Sequence, residues 1–272
     1  MISSTANSSH ATTNISKRAS HITVYTNLAS LPDALLGDCK RVSTVDISPL
    51  QVSTVGRSFL EDLKSLVHVD LSPLTGVTTV GAFFLSGCTS LTSIDLSPLS
   101  QVTSMGAMFL QGCSGVTTIE LSPLSLHADG FLNECTGLTS IDLSFLSHVT
   151  MVEREFLSGC RGLTSIDLSP LSNVTDISEG FMSACTSLTT LDLSPLSNVV
   201  GVVGMCFLNN CTGLTTIDLS PLSQVAGLGC FFLSKCISLT VIDVRALVHI
   251  TMIPDGLEKS NVHLLLPPQL ML

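Results

Sequence analysis

The stretch Leu91-Thr-Ser-Ile94-Asp95-Leu96-Ser97-Pro98-Leu99 decides the fold, because close variants of it recur along the whole chain. Its acidic position occurs nine times at spacings of 22 to 26 residues. These acids are Asp46, Asp70, Asp95, Glu120, Asp142, Asp167, Asp192, Asp218 and Asp243. A period of this length is the signature of a repeat architecture, in which each repeat forms one turn of a stacked array.

The first half of a turn predicts a strand followed by a helical turn. Ile94 and Leu96 alternate with Asp95, which predicts a short strand with the apolar pair inward and the carboxylate outward. Serine is a common helix N-cap, and proline suits the first helical position. Ser97 and Pro98 therefore predict a single helical or 3₁₀ turn directly after the strand, with the serine as its cap.

The second half of the turn predicts another strand and a return of the chain. Val102–Gly106 is expected to form a short strand that ends at the glycine, and Phe109–Cys113 to turn the chain back and bury its phenylalanine and cysteine. No single turn can bury its apolar face alone, so stacked turns should share one core. We expect a β-rich solenoid of short parallel strands, with about 25 residues per turn.

The repeat also predicts the limits of the domain. Residues 21–264 should form a single solenoid of about nine full turns plus degenerate end turns, the last of which places His263 in the acidic column. Residues 1–20 form a polar segment that we expect to be flexible. Residues 265–272 are apolar and are interpreted as a tail or cap over the open end of the core.

Composition and charge narrow the function. Of 272 residues, 45% are hydrophobic and 12% are charged, and the net charge is −10. This balance argues against nucleic acid and anionic membranes, which require Lys and Arg patches. No apolar run is long enough for a membrane span. The N-terminus shows no signal peptide, which favours a cytoplasmic location, whereas a start further upstream would allow the cell surface.

Several motifs identify a family. Cys88-Thr-Ser-Leu91-Thr-Ser-Ile94, Val174-Thr-Asp-Ile177 and Phe181 with Cys185 resemble the BspA-like (Treponema pallidum type) leucine-rich repeats. The resemblance extends over roughly residues 28 to 253, and it implies a leucine-rich repeat solenoid. The Asp-Leu-Ser-Pro-Leu block departs from it, because bacterial members more often have a shorter turn there. Members are mostly surface, adhesion or interaction proteins, so the resemblance implies binding.

The nine acids are the candidate binding residues. Neighbouring carboxylates would lie about 5 Å apart, where two charges repel by roughly 1 kcal/mol even in water. Either the serine hydroxyl and backbone N–H groups of the same turn solvate each carboxylate, or the ladder binds a basic partner or divalent cations. Catalysis is disfavoured, because a catalytic pair needs unlike neighbours that separate its two pKa values.

Eight of the ten cysteines occupy another column, in which Leu63 once replaces cysteine. They are Cys39, Cys88, Cys113, Cys135, Cys160, Cys185, Cys211 and Cys236. The leucine indicates a small apolar slot, so we expect free core thiols, although disulfides between turns are sterically conceivable. The wide spacing argues against zinc. Cys206 and Cys230 lie outside the column, and the sequence predicts no role for them.

Two turns are irregular. Leu124–Phe131 lacks about three residues relative to the repeat, and Val199–Phe207 has one extra. Departures from a repeat are places where function can concentrate. The alternative is a neutral insertion or deletion that produces a kink or bulge.

These patterns together predict a binding protein. The sequence has no nucleophile elbow, phosphate-binding glycine loop or metalloprotease helix, so we expect no enzymatic activity and no cofactor. The predicted function is a non-catalytic binding scaffold that mediates protein–protein interaction, with a basic protein as the natural complement to the acids. The alternative is a cell-surface adhesin or structural spacer of the BspA-like type. We expect a monomer.

Overall fold

The structure is a computed structural model that describes residues 20–24, 28–37, 39–120, 128–257 and 262–271, except for the side chain of Glu120. The chain divides into two compact units, Met1–Ile141 and Asp142–Leu272. Residues 124–127, half of the irregular turn predicted at Leu124–Phe131, lie outside the described residues. The prediction that residues 21–264 form one solenoid stays a prediction, and each unit is described by itself.

The first unit is a β-solenoid whose strands form two columns, all of them parallel. Partners in adjacent strands are one repeat apart, as in the pairs Thr44 with His68 and Thr54 with Thr79. The first column contains β1 (His21–Thr23), β3 (Thr44–Asp46), β5 (His68–Val69), β7 (Ser93–Asp95) and β9 (Thr118–Glu120). The second contains β2 (Ser30–Leu31), β4 (Thr54–Val55), β6 (Thr79–Val80) and β8 (Ser104–Met105).

The second unit repeats the pattern with fewer strands, paired in parallel as β10–β11, β12–β13 and β14–β15. They are β10 (Met151–Val152), β11 (Asp176–Ile177), β12 (Val202–Val203), β13 (Gly227–Leu228), β14 (Val241–Asp243) and β15 (His263–Leu265). The described helices of both units are 3₁₀ turns, at Ser72–Leu74, Ser97–Leu99, Ser144–Leu146, Ser169–Leu171, Ser194–Leu196, Ser220–Leu222 and Pro268–Leu270.

The expectation of a strand at every acid is not met in the second unit. The segments around Asp142, Asp167, Asp192 and Asp218 are assigned no strand. Neighbouring turns are joined there by bonds to single carbonyls, such as the Thr189 oxygen, which accepts the N–H of Thr215 at 3.0 Å and its hydroxyl at 3.2 Å. A ladder needs successive backbone pairs, and threonine side chains supply part of the pairing instead.

The last strand corrects the predicted register. In the pairing of β14 with β15, His263 lies opposite Val241, and Leu265 lies opposite Asp243. His263 is therefore two residues away from the acidic column, and the prediction that it occupies this column was wrong. The apolar alternation of the strand sets this register, since Leu264 lies opposite the buried Ile242.

The 3₁₀ turn after the strand is confirmed, but its predicted cap is wrong. Leu96, not Ser97, occupies the N-cap position of Ser97–Leu99, and no side chain caps the turn in the usual way. The N–H of Ser97 instead donates to Oδ1 of Asp95 at 2.8 Å. The strand carboxylate therefore accepts the first free N–H group of the turn, in the manner of an Asx turn.

Columns of identical residues form the core of each unit. Ile94 and Leu96 are buried on either side of the exposed Asp95, as the alternation predicts. The phenylalanines of successive turns stack, with ring centroids 5.3 Å apart for Phe84 and Phe109. Offset aromatic stacking at this distance adds about 0.5–1.5 kcal/mol per pair beyond the burial of apolar area.

The return segment holds its phenylalanine between residues with left-handed backbone. Phe83 and Leu85 have φ angles of 62° and 55°, which cost roughly 1–2 kcal/mol each for residues other than glycine. The N–H of Phe83 donates to the Ala107 carbonyl of the following turn at 2.9 Å, and that of Leu85 to the Phe59 carbonyl of the preceding turn at 3.1 Å. Bonding in both directions offsets the strain, because both left-handed residues donate their N–H groups to a neighbouring turn.

Two phenylalanines of the second unit provide a matched test of this core. Phe181 is 0% exposed and stacks 5.2 Å from Phe207, whereas Phe231 is 48% exposed. Phe181→Ala should lower the free energy of unfolding by about 3–5 kcal/mol, because it leaves a cavity in the stack. Phe231→Ala should change it by less than about 1 kcal/mol. Chemical denaturation measures both, and equal effects would contradict the stacked core.

Candidate functional site

The predicted acids form a column on the surface of each unit, just before the 3₁₀ turn or its equivalent. In the first unit Asp46 is half-exposed, Asp70 and Asp95 are exposed, and the backbone of Glu120 lies opposite Asp95. In the second unit the column consists of the exposed Asp142, Asp167, Asp192 and Asp218 and the half-exposed Asp243. Parallel stacking thus brings the predicted site residues together within each unit.

Each carboxylate with a described side chain is bound by its own turn. Oδ1 of Asp192 accepts the N–H of Ser194 at 2.8 Å, and Oδ2 accepts the Ser194 hydroxyl at 2.9 Å. The same two bonds form at Asp70, Asp167 and Asp218. The local solvation expected from the Asp-Leu-Ser spacing is therefore confirmed. Both bonds favour the ionised form, so the carboxylates are held in one orientation as anions.

The electrostatics of the column follow from these bonds. The Ser169 backbone N–H lowers the pKa of Asp167, with a smaller contribution from the Ser169 hydroxyl, while the charge of Asp192 acts in the opposite direction. The pKa of Asp192 is likewise lowered, chiefly by the Ser194 N–H. Hydrogen bonding therefore outweighs the repulsion between neighbouring turns. Asp167 and Asp192 therefore remain charged at neutral pH.

The final turn departs from the consensus, because Arg245 stands where most other turns have serine. Its N–H bonds Oδ1 of Asp243 at 3.0 Å, and its guanidinium approaches the two carboxylate oxygens at 2.9 and 2.7 Å. The Arg245 guanidinium lowers the pKa of Asp243 to about 2. This is an ion pair within one turn, and it neutralises the end of the acidic column.

Metal-binding clusters, membrane-spanning helices and ion pairs are three features that could accompany the acidic column. Among the described residues, no three His, Cys, Asp or Glu side chains are arranged to hold a metal ion. No helix in the described part of the chain has the length and hydropathy needed to cross a membrane. The ion pairs of Lys40 with Asp62 at 3.0 Å and of Arg154 with Glu179 at 3.6 Å lie outside the column.

The cysteine column is buried and has a specific role in joining turns. The thiol of Cys113 donates to the Leu85 carbonyl of the preceding turn at 3.0 Å, and that of Cys135 to the Leu110 carbonyl at 3.1 Å. These leucines are the left-handed residues of the return segment. The sequence predicted a small apolar slot and missed the donor, although the preference for cysteine over alanine was the available signal.

Burial determines the chemistry of these thiols. It raises the pKa of Cys113 and Cys185 to about 12, and that of Cys236 to about 11. Because the thiolate is the reactive form, the column thiols are poor nucleophiles at neutral pH. The eight column cysteines are buried and none of the ten forms a disulfide, which agrees with the expectation of core thiols in the column, whereas Cys206 and Cys230 are partly exposed.

The irregular turn at Val199–Phe207 forms a bulge with apolar side chains on its surface. The N–H of Ala226 is shared between the carbonyls of Val200 and Gly201, both at 3.2 Å. Val200 and Val202 are 54% and 60% exposed. The sequence located the extra residue, but it did not predict that apolar side chains would be left on the surface.

Comparison with known proteins agrees with this geometry. The profile of the BspA type leucine rich repeat region matches residues 8–127 and 125–255, in six copies. No curated protein sequence matches the chain significantly. The chain belongs to the BspA type leucine-rich repeat family, and its fold is a leucine-rich repeat solenoid.

Solved structures show the same fold at low sequence identity. A leucine-rich repeat protein from Eubacterium ventriosum is 19% identical, with a TM-score of 0.54, over 92% of this chain and 73% of that one. The T. pallidum leucine-rich repeat protein is also 19% identical, with a TM-score of 0.52, over 64% and 79%. A leucine-rich repeat protein from Bacteroides ovatus, 19% identical, has a TM-score of 0.50 over 82% and 74%.

Burial of the thiol column predicts selective labelling. At neutral pH a thiol-specific reagent should modify two cysteines of the native protein within minutes, Cys206 and Cys230, and all ten after unfolding. The Cys206→Ser/Cys230→Ser variant should show no fast labelling while folded. Mass spectrometry of the labelled peptides identifies the sites, and rapid labelling of Cys113 would contradict its burial.

The Asp243–Arg245 pair predicts a pH dependence. The folded pKa of Asp243, about 2, lies below the ordinary aspartate value of 3.8, so the pair's contribution to stability is complete above about pH 5 and is lost as the pH falls towards 2. Arg245→Ala should raise the pKa of Asp243 towards 3.8 and reduce the loss of stability between pH 5 and 2. Carboxyl NMR titration measures the pKa, and an unchanged value would rule out the ion pair.

Proposed function

We propose that this protein is a non-catalytic binding scaffold whose acidic column contacts a basic protein partner. The observation that carries the proposal is the column of the second unit, Asp167, Asp192 and Asp218, in which each exposed carboxylate is held by two hydrogen bonds from its own turn. A fixed row of anions is an electrostatic surface complementary to Lys and Arg side chains.

Preorganisation supports binding more than the charge alone does. A flexible surface carboxylate loses side-chain entropy when it pairs with a cation, which leaves most exposed ion pairs worth less than 1 kcal/mol. The serine bonds have already ordered these carboxylates, so a partner meets a smaller entropic cost. The spacing of about 5 Å between turns also allows several weak contacts to add along one partner segment.

A charge-neutral column tests the proposal. Asp167→Asn/Asp192→Asn/Asp218→Asn should weaken binding of a fluorescent Lys- and Arg-rich peptide by about tenfold or more at low salt, since roughly 1 kcal/mol is lost per contact. Fluorescence anisotropy measures the dissociation constant. Asparagine keeps an oxygen for each serine N–H, so the variant should remain folded, as melting temperature can verify.

A matched control separates position from net charge. Glu61→Gln/Glu134→Gln/Asp255→Asn removes the same number of negative charges from residues outside the column, and it should bind the peptide almost as well as the wild type. Equal losses in the two triple variants would reduce the effect to net charge and contradict the proposal. Millimolar calcium should leave the melting temperature unchanged, because no described acids form a coordinating cluster.

A further inference from the structure

The extra residue of the Val199–Phe207 turn interrupts the second strand column. β10 pairs with β11 and β12 pairs with β13, but no ladder joins β11 to β12. Only flanking bonds remain, such as the one from the Gly204 N–H to the Ile177 carbonyl at 3.0 Å. Val202 occupies the outward position of β12 and is 60% exposed, beside Met205, which is 47% exposed. Apolar side chains therefore stand on this face of the second unit.

The equivalent position in the first unit is polar. There the second strands begin with a hydroxyl residue, namely Ser30, Thr54, Thr79 and Ser104. In the second unit the same column holds Met151, Asp176 and Val202 in three successive turns. Exposed apolar side chains that cluster on one face of a protein often mark an interaction surface.

The groove has a definite arrangement of charge. It has a volume of about 390 Å³ and is lined by Met151 and Arg154 of one turn and by Val202 and Met205 of another. The turn between them supplies two carboxylates, Asp176 and Glu179. The outward residues of the three strands, Met151, Asp176 and Val202, thus follow an apolar, acidic, apolar order.

The two central carboxylates differ in what they bind. Glu179 lies 3.6 Å from the Arg154 guanidinium, which partly neutralises it. Asp176 accepts the hydroxyl of its neighbour Thr175 at 2.7 Å and is exposed. A Cβ at Gly201 would lie 2.7 Å from Oδ1 of Asp176, so the glycine of the bulge leaves the space that this carboxylate occupies.

We propose that this groove docks an extended segment of a protein partner that carries Lys or Arg between two apolar side chains. The basic residue pairs with Asp176, and the flanking side chains cover Met151 on one side and Val202 with Met205 on the other. Charge complementarity selects the central residue, and apolar area supplies most of the affinity. This inference rests on the proposed function of partner binding and adds a second contact surface, separate from the acidic column.

Selection from a random peptide library displayed on phage tests the groove. The library is panned on the full chain, and the enriched clones are sequenced. One group of them should share an apolar–basic–apolar order. Synthetic copies of this group should bind the double variant Val202→Thr/Met205→Thr at least about tenfold more weakly than the wild type.

Two further variants address the charge and the general effect of surface change. Asp176→Asn should weaken the same peptides by about tenfold and should not alter folding, because the side chain is exposed. Val67→Thr replaces a valine that is 52% exposed in the first unit, and it should leave binding unchanged. Melting temperatures confirm that each variant is folded. If Val202→Thr/Met205→Thr does not fold, Asp176→Asn still tests the groove.

The acidic-column variant distinguishes this inference from the proposed function. Groove peptides should bind Asp167→Asn/Asp192→Asn/Asp218→Asn within about twofold of the wild type, since distant sites contribute independently. Selected peptides that lose affinity for the column variant but keep it for the groove variants would overturn the groove and leave the proposed function standing. The groove proposal would also be overturned if no enriched peptide bound Asp176→Asn more weakly than the wild type.

Discussion

A turn of this protein can bury its apolar side chains only against the equivalent side chains of the neighbouring turns. Phe181 is inaccessible to solvent because Phe156 and Phe207 cover its two faces, at centroid distances of 5.9 and 5.2 Å. The same dependence holds for the leucines, valines and cysteines of the other columns. Stability therefore requires that every turn have nearly the same length and keep the same register, since a shift of one residue would turn core side chains outward.

This register has an electrostatic consequence. If apolar residues stack on their own kind, the acid of each turn must also stack on the acid of the next. The fold accommodates the repulsion locally, because Ser194 donates both its N–H and its hydroxyl to Asp192 and lowers the pKa of that carboxyl. Ser194 thus offsets the repulsion at Asp192 and also orders its carboxylate. An ordered surface charge favours the binding of a group of opposite charge.

The single insertion in the second unit shows what happens when the register is broken. One extra residue near Gly201 cannot be absorbed in a strand of two residues, so the backbone bulges and the ladder between β11 and β12 is lost. The core is kept, because Val199 and Val203 remain 0% exposed on either side of the bulge. The change is confined to the surface, where Val202 occupies an outward position that holds hydroxyl residues in the first unit.

Most of the fold could be read from the repeat, because an alternation such as Ile94, Asp95 and Leu96 specifies which side chains face inward wherever it recurs. The Asp-Leu-Ser spacing likewise predicted the local solvation of the acids. Tertiary structure alone decided the rest, which includes the register that places Leu265 opposite Asp243, the bond from the Cys113 thiol to Leu85 and the groove beside Val202. Those features depend on which atoms of one turn meet atoms of the next, and no pattern within a single turn contains that distance.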